Sequence, residues 1–271
     1  MELQRITSRE NRRLIYARKV RDGKESGQIF IEGRRLVTEA LRSDIRINDC
    51  FFAEGFEHGG LLDPIAEKGI DIWKLRDSLF RSIAATKQPQ GIVLLADHPI
   101  NPIKDFNLPQ VSVPVFLFLN EINNPSNLGA ILRSVEAAGA GGVFVSKNSA
   151  DVFSPKALRA SMGAAFRVRV TENADLEEVL GRARAGGLTC LAVDRLAGAS
   201  YLQIDWKKRP HLLVLGSEAH GLSSSELELI GDGISIPMDN SVESLNLAVA
   251  AGIILFEAKR KGGDDAVNYL S

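Results

Sequence analysis

The chain has 271 residues, 45% of them apolar and 25% charged, a composition typical of globular proteins and unlike that of disordered or fibrous chains. Its 33 basic and 34 acidic side chains give a formal net charge of −1, which excludes a polybasic protein but not a local basic patch. No apolar run reaches the roughly 18 residues of a membrane span, and the polar N-terminal residues do not resemble a signal peptide. We therefore expect a cytoplasmic protein.

Cysteine and histidine give little indication of chemistry. Cys50 and Cys190 are far apart in sequence and would form at most one disulfide, so they are interpreted as buried thiols. The four histidines have no metal-ligand spacing among themselves or with the cysteines. We expect no metal site.

The first hundred residues alternate between predicted strands and helices. Residues 8–20 predict a basic helix opened by Ser8, and residues 1–21 hold seven basic and two acidic side chains. Strands are then predicted at QIFIEG, DCFFA, IDIWKL and GIVLLA. The helices between them are predicted at RRLVTEALRS, near 61–68 and at DSLFRSIAA. This pattern predicts a small α/β domain.

The stretch from His98 to Pro114 contains four prolines, Pro114 included, and indicates a domain boundary, which we place between residues 1–107 and 108–271. The second part then alternates strand and helix about six times. Its strands are predicted at VFLFLN, GGVFVS, FRVRV, LTCLAV, HLLVLG and ISIPM, and its helices at NLGAILRSVEAAG, SPKALRASMG, LEEVLGRARAGG, SSELELIG and SLNLAVAAGIILFEAKRK. Such alternation predicts a mostly parallel sheet with helices on both faces.

Three polar loops, at 120–133, 216–223 and 236–246, each follow an apolar strand, where parallel α/β sheets usually bind ligands. In the first loop, Asn127 or Ser126 is the predicted N-cap of the helix. Arg133 points away from the apolar face of that helix, and its neighbours one turn away are glycine and alanine. A substrate group can therefore approach its guanidinium closely, the alternative being a solvated surface arginine.

The other two loops carry candidate turn and capping residues. Gly216 lets a ligand approach the backbone, and Glu218 is either a charged acceptor or a helix-end acid. His220 has no obvious partner, which favours an ordinary surface histidine. Ser244 is the predicted cap of the last helix, and the unpaired backbone N–H groups of its first turn suit a polar ligand. The alternative is that Ser244 only caps the helix. From Leu245 onward this helix is apolar nearly all round, so it must be buried in its own chain or against a partner.

These three loops resemble the motifs of the SpoU (TrmH-like) RNA ribose methyltransferases. The run from Asn120 to Arg133 is similar to the first motif, LLVLGSEAHGLS to the second and ISIPMDNSVESLNLAVAAGIILFE to the third. SPKALRASMGAAF resembles the stretch between the first two motifs. The resemblance covers about residues 112–261. More weakly, the N-terminal part resembles the ribosomal-protein-like RNA-binding domain that often precedes this catalytic domain.

The resemblance implies a fold that periodicity alone does not predict. Its C-terminal segment threads through a loop and forms a trefoil knot, an exception to the usual rules of topology. It also implies a homodimer that binds S-adenosylmethionine in the knot and methylates the 2′-hydroxyl of a ribose in ribosomal RNA, or as second choice transfer RNA.

Carried over residue by residue, the resemblance implies two sets of site residues. The catalytic set is Asn127, Arg133, Glu218, Ser244 and Asn246. The cofactor-binding set, which acts mostly through the backbone, is Leu215, Gly216, Ser217, Gly221, Ile236, Met238 and Leu245.

RNA binding is expected at basic residues of both parts of the chain. We assign it to Arg5, Arg9, Arg12, Arg13, Arg159 and Arg167. For the N-terminal arginines, a solvated helix face is the alternative. Phosphate contacts at such residues would make the affinity for RNA dependent on salt.

Two other functions remain as alternatives. A nicotinamide-dependent oxidoreductase is disfavoured, because the glycine fingerprint G-x-G-x-x-G is missing after the first strand of the second part. A non-catalytic RNA-binding or ribosome-assembly protein with the same fold is disfavoured, because a decayed site would not need to keep Arg133 or Asn246.

Overall fold

The computed structural model describes residues 4–57, 59–101, 103, 113–239 and 243–262. The chain folds as two compact units. One contains Met1–Pro99 together with Asp151–Arg167, and the other contains Ile100–Ala150 together with Val168–Ser271. The predicted boundary between residues 107 and 108 lies outside the described residues. No helix in the described part is long and apolar enough to cross a membrane.

The first unit is built on a mixed sheet that has five strands within the described residues, in the order β1-β4-β3-β5-β2. The strands are β1 (Gln4–Ile6), β2 (Gln28–Glu32), β3 (Ile47–Ala53), β4 (Asp71–Leu75) and β5 (Ile92–Asp97). Strand β5 runs antiparallel to β2 and β3, and the other pairs are parallel. The helices are α1 (Arg12–Arg21), α2 (Arg34–Leu41), α3 (Leu62–Glu67), α4 (Asp77–Ile83) and, from the later segment, α6 (Pro155–Ser161). The small α/β domain is confirmed, and β1 is an addition to the prediction.

The second unit is built on a sheet whose seven strands within the described residues all pair in parallel, in the order β10-β12-β9-β11-β6-β7-β8. The strands are β6 (Val113–Leu119), β7 (Ala140–Ser146), β8 (Val170–Ala174), β9 (Thr189–Val193), β10 (Ala199–Ser200), β11 (His211–Leu215) and β12 (Asp232–Ser235). The helices are α5 (Pro125–Ala138), α7 (Leu176–Ala185), α8 (Ser224–Ile230) and α9 (Leu247–Gly262). The predicted parallel sheet is confirmed.

Successive side chains of β6 point to opposite faces of this sheet, because side chains alternate along a strand. Phe116 and Phe118 join one buried cluster with residues of α7 and α8. On the opposite side α5 packs on β7, and α9 packs on α5 and β6. The helices therefore bury both faces of the sheet, which explains why its strands are apolar throughout.

The segment that joins β12 to α9 crosses the second unit. Strand β12 pairs with β9, whereas α9 packs on α5 and β6, so residues 236–246 carry the chain from one position to the other. Residues 240–242 of this connection lie outside the described part. The trefoil knot stays a prediction.

Three predicted helix starts are wrong by a few residues. Helix α1 is capped by Asn11, whose side chain accepts from the Arg13 amide at 2.9 Å, and Ser8 lies before it. Helix α5 is capped by Asn124, followed by a proline whose fixed φ suits the first turn. Helix α9 begins after Asn246, whose side-chain oxygen accepts from the first free amides, so Ser244 is not the cap. A side chain caps only where the backbone before the helix is extended, and local sequence offered several candidates.

Two predicted strands are also displaced. Met162 and Gly163 both adopt left-handed conformations, with φ of 54° and 96°, and turn the chain into a short 3-10 helix at Ala164–Phe166. Strand β8 therefore begins at Val170 and not at Phe166. Strand β12 ends at Ser235, two residues before Pro237, which has no N–H to continue a ladder.

Candidate functional site

The three polar loops leave the second sheet from one edge. Leu215 of β11 lies opposite Leu119 of β6 on one side and Val193 of β9 on the other, and Val193 lies opposite Ile234 of β12. Because all four strands are parallel, the segments that follow them start at neighbouring points. The three loops therefore start at one edge of the sheet.

Three side chains from the three loops form one hydrogen-bonded chain. Asn127, on the first turn of α5 and 9% exposed, donates its Nδ2 proton to Glu218 Oε1 at 3.0 Å. Asn127 Oδ1 accepts from Asn246 Nδ2 at 3.1 Å. The other Glu218 oxygen accepts from the Asn123 amide at 3.4 Å. The structure therefore brings together three of the five predicted catalytic residues.

The second loop is a tight turn that requires glycine at its base. Ser217 and Gly221 exchange backbone hydrogen bonds of 3.1 and 2.9 Å, and Ser217 Oγ accepts from the His220 amide. A Cβ atom at Gly216 would overlap the backbone of Gly221 and the amide of Leu222. Gly216 is therefore needed for the close approach of its own loop.

A second polar network supports this turn. Glu226 of α8 accepts from the Ser223 amide at 2.6 Å and from Nδ2 of the buried Asn120 at 2.6 Å. The end of β6 is thereby tied to the start of α8. Sequence reasoning placed Asn120 in the first motif but assigned no role to Glu226. The spacing of Ser223 and Glu226, which is that of a capping box, was the available signal.

The first loop also contains a strained residue. Glu121 has φ of 54°, and its amide donates to Ser146 Oγ at 2.8 Å, while the next amide donates to Ser149 Oγ at 3.0 Å. The two serine oxygens are 3.1 Å apart. A left-handed conformation costs free energy in a residue other than glycine and is kept where surrounding contacts hold it. No sequence motif pointed to Ser146 and Ser149 as supports of this loop.

Arg133 lies apart from the hydrogen-bonded chain. Helix geometry puts it about 9 Å along the axis of α5 from Asn127 and about 120° around it. Its side chain is exposed, and it makes no hydrogen bond or ion pair with the residues that the structure describes. Ser244 is likewise exposed, two residues before Asn246. Within one chain, neither residue is part of the chain of hydrogen bonds around Asn127.

Of the residues assigned to the cofactor, those next to the ends of β11 and β12 lie at the same sheet edge, whereas Leu245 lies two residues before α9. Gly216 follows the end of β11, Ile236 follows the end of β12, and the end of β9 lies between those two strands. These segments offer backbone groups and apolar side chains, which suits a ligand that is held mostly through the backbone. Asp194, directly after β9 and with its amide bonded to the Ile234 carbonyl at 3.0 Å, belongs to this edge. Sequence reasoning missed that loop, although it too follows an apolar strand.

The predicted RNA-binding arginines of the first unit differ in their partners. Arg13 donates to Asp49 at 2.7 Å and to Asp71 at 3.3 Å, and its guanidinium lies 4.1 Å from the centre of the Trp73 ring. Arg5 forms an ion pair with Glu54. Arg9 and Arg12 are exposed, and neither side chain has a hydrogen bond or ion pair within the described ranges.

The two later arginines lie in the segment that packs in the first unit. Arg167 forms an ion pair with Glu39 of α2 at 2.6 Å, and Gly163 packs so closely on Glu39 that a Cβ atom would overlap its side chain. Arg159 has a buried Nη1 atom that lacks a hydrogen-bond partner in the described part of the chain.

The chain is similar to known proteins along most of its length. The family model described as the SpoU rRNA Methylase family matches residues 114–256, and that of an MRM3-like substrate binding domain matches residues 10–94. An uncharacterized tRNA/rRNA methyltransferase of Synechocystis sp. is 30% identical over 94% of this chain and 93% of its own length. The 23S rRNA (guanosine(2553)-2′-O)-methyltransferase RlmP of Bacillus subtilis is 26% identical over 95% of this chain and all of its own. A crystal structure of an AdoMet-bound rRNA methyltransferase from Sinorhizobium meliloti covers 95% of this chain and 98% of its own, with a TM-score of 0.84 and 29% identity.

Proposed function

Because the chain belongs to the SpoU rRNA methylase family, we propose that it transfers a methyl group from S-adenosylmethionine to the 2′-hydroxyl of a ribose in ribosomal RNA. The observation that carries this proposal is the chain of hydrogen bonds Glu218–Asn127–Asn246, which joins three loops at one sheet edge. The reaction named for the Bacillus subtilis relative supports the choice of ribose and of ribosomal RNA. Transfer RNA is the second choice of substrate.

Residues at the end of β11 and in the segments that follow β11 and β12 are proposed to hold the cofactor. They are Leu215, Gly216, Ser217, Gly221, Ile236, Met238 and Leu245. When bound, S-adenosylmethionine supplies a methyl group on a positively charged sulfur, which is already a good leaving group. The protein has mainly to align the ribose oxygen and to stabilise its loss of a proton.

Arg133 is the proposed catalytic group for that second task. A guanidinium is a poor base but offers several N–H donors, so we assign it to a substrate phosphate and to the charge that develops on the ribose oxygen. Asn127 and Ser244 orient the ribose or Arg133, and Glu218 and Asn246 keep Asn127 in place.

The proposal is tested by Arg133→Ala. We expect loss of methyl transfer to ribosomal RNA, measured with radiolabelled cofactor and by mapping 2′-O-methyl sites. Binding of S-adenosylmethionine in calorimetry should stay unchanged, because Arg133 lies outside the cofactor-binding set. Arg182→Ala, at another exposed helical arginine that pairs with Glu178, is the matched control and should keep full activity.

Equal loss of turnover and cofactor binding in Arg133→Ala would contradict this role. A wild-type protein that binds RNA but neither binds the cofactor nor transfers methyl would instead support the non-catalytic alternative.

The N-terminal part is proposed to bind the RNA substrate. We assign residues 1–107 to RNA binding and residues 108–271 to methyl transfer. The match of residues 10–94 to a substrate-binding domain supports this division.

A homodimer through the second unit is also proposed. Helix α9 buries one side and leaves Val249 51% and Phe256 43% exposed, with Ile253 between them on the same face. Gly252, next to this face, faces Ser134 of α5, the neighbour of Arg133 in sequence. A second copy docked on this face would lie beside Arg133.

Light scattering after gel filtration tests the dimer. We expect a dimer for the wild type and a monomer for Phe256→Glu, because a charge would be buried in the interface. Leu229→Glu, at an exposed apolar residue of α8, should stay dimeric. A monomeric wild type would refute the proposal.

We propose a cytoplasmic location, where reducing conditions keep the unpaired Cys50 and Cys190 as thiols. Fractionation of cells is the test.

A further inference from the structure

The arginines of the first unit fall into two groups. Arg5, Arg13 and Arg46 each lie within ion-pair distance of a carboxylate, so their charges are neutralised inside the fold. Arg18 of α1 has no carboxylate partner within the described residues, whereas Arg21 of the same helix pairs with Asp22 at 2.7 Å. Arg18 and Arg21 are three residues apart, which places them on one face of the helix, towards α4.

Neutral groups hold Arg18 and Arg21 in place. Arg18 donates to the Arg9 carbonyl at 2.9 Å and to Ser82 Oγ at 3.4 Å. Arg21 donates to the carbonyls of Ser82 and Ala84 at 3.1 and 3.2 Å. These bonds fix the guanidinium planes but do not cancel their charge.

Positive charges outnumber negative ones around Arg18. The pKa of Arg18 is lowered, first by burial and then by the positive charges of Arg9 and Arg21, and Asp22 opposes the shift. The Asp22 carboxylate is already bonded to Arg21 Nε at 2.7 Å. Because that carboxylate pairs with Arg21, Arg18 keeps an uncompensated positive charge, which an external anion would stabilise.

We propose that Arg9, Arg18 and Arg21 form a binding site for the phosphate backbone of RNA. The inference rests on the proposed function, in which the methyl acceptor is RNA. A guanidinium presents donors in a planar fork that matches phosphate oxygens. Because Arg18 and Arg21 are held by the protein beforehand, little further side-chain freedom is lost when a phosphate binds.

The test compares full-length variants in fluorescence anisotropy, with a short fluorescein-labelled RNA hairpin at about 50 to 400 mM KCl. Arg9→Gln and Arg18→Gln should each bind roughly tenfold more weakly at the lowest salt and reduce the slope of log affinity against log salt by about 1. Arg46→Gln removes an exposed positive charge that is paired with Asp97, and its affinity should equal that of the wild type.

Phosphate as the ligand is tested by a hairpin of the same sequence with uncharged methylphosphonate linkages. It should bind the wild type and Arg9→Gln equally weakly. Arg18→Gln loses two internal hydrogen bonds, so its melting temperature is measured alongside. Arg9→Gln should fold like the wild type, because the exposed Arg9 side chain contributes no described hydrogen bond to the fold. Its affinity for RNA therefore tests the proposal even if Arg18→Gln is destabilised.

Affinities of Arg9→Gln and Arg18→Gln equal to that of Arg46→Gln, while the wild type binds RNA, would overturn the phosphate site and leave the methyltransferase proposal intact. A wild type that binds cofactor but no RNA would overturn both.

Discussion

Asn127 is the residue on which the site geometry depends. Its amide donates to Glu218 and accepts from Asn246, so both of its polar atoms are used and only this orientation satisfies both partners. The short carboxamide of asparagine offers a donor and an acceptor at the same branch point with no net charge.

Asn127→Asp should show this requirement. The new carboxylate cannot donate to Glu218 and places a second negative charge beside it. We expect the free energy of unfolding to fall by about 1–3 kcal/mol and methyl transfer to be lost, measured by urea unfolding and radiolabel transfer. Asn148→Asp is the matched control, because Asn148 is exposed and donates to Glu121 at 3.2 Å. It should change stability by less than about 0.5 kcal/mol. Equal effects of both variants would contradict the role of Asn127.

We expect His211 to make the stability of the second unit depend on pH, which the sequence did not indicate. It is buried at the start of β11 against Trp206, with ring centres 4.9 Å apart. Burial lowers the pKa of His211 below its ordinary value of about 6.5, while Asp205 partly opposes the shift. The unfolded chain therefore binds this proton at a higher pH than the folded protein does.

Stability should accordingly fall as the pH drops below about 6.5. We expect urea midpoints to decrease from pH 7 towards pH 5 in the wild type, and part of this decrease to disappear in His211→Gln. His220→Gln, at an exposed histidine, should keep the decrease of the wild type. An identical pH profile for all three proteins would show that His211 does not cause it.

At the scale of elements, the site depends on glycine as much as on polar side chains. The turn at 217–221 closes so tightly over Gly216 that any Cβ atom there would meet backbone and not a side chain that can move aside. Backbone can relieve such an overlap only if the turn itself shifts.

Gly216→Ala should therefore lower both stability and cofactor affinity. We expect a loss of about 1–3 kcal/mol in urea unfolding and a large loss of S-adenosylmethionine binding in calorimetry. Gly181→Ala is the matched control, since Gly181 lies within α7 and a Cβ atom there meets nothing within 4 Å. It should raise stability by up to about 1 kcal/mol, because alanine favours the helix. Normal cofactor binding by Gly216→Ala would refute the requirement for a tight turn.

Most elements could be predicted because their apolar periodicity is strong, as in β6 and α5. The ends of the helices could not be predicted, because capping depends on which side chain accepts a hydrogen bond from an unpaired amide at the helix start. Asn124, Asn127 and Ser126 are all good capping residues, and only the extended backbone at Asn124 decides among them.

At the scale of the whole molecule, one segment packs in a different unit from the residues that precede and follow it in the sequence. The SpoU family match spans 114–256, yet Asp151–Arg167 packs within the first unit, with α6 against β2 and Gly163 against Glu39. A fragment that begins at residue 100 would therefore keep this segment without its packing partners.

We expect the fragment 100–271 to bind the apolar dye ANS and to melt below the full chain, because Phe153, Leu158 and other apolar side chains of the segment are buried in the full chain. Full-length Glu39→Gln, which loses the Arg167 ion pair but keeps the packing, should melt within a few degrees of the wild type. A fragment that melts like the full chain and binds no dye would contradict this assignment.

The sequence by itself determined the fold class, the three polar loops and the identity of the family, because strand–helix alternation and ordered motifs are local properties of the chain. It also supplied the residue types of the site. The tertiary structure alone decided which of them meet. It joined Asn127 to Glu218 and Asn246, left Arg133 exposed and separate, and distinguished arginines paired with carboxylates from Arg18, which neutral groups hold. Such contacts link residues that are far apart in the chain, and their geometry depends on strand register and loop conformation, which no local pattern specifies.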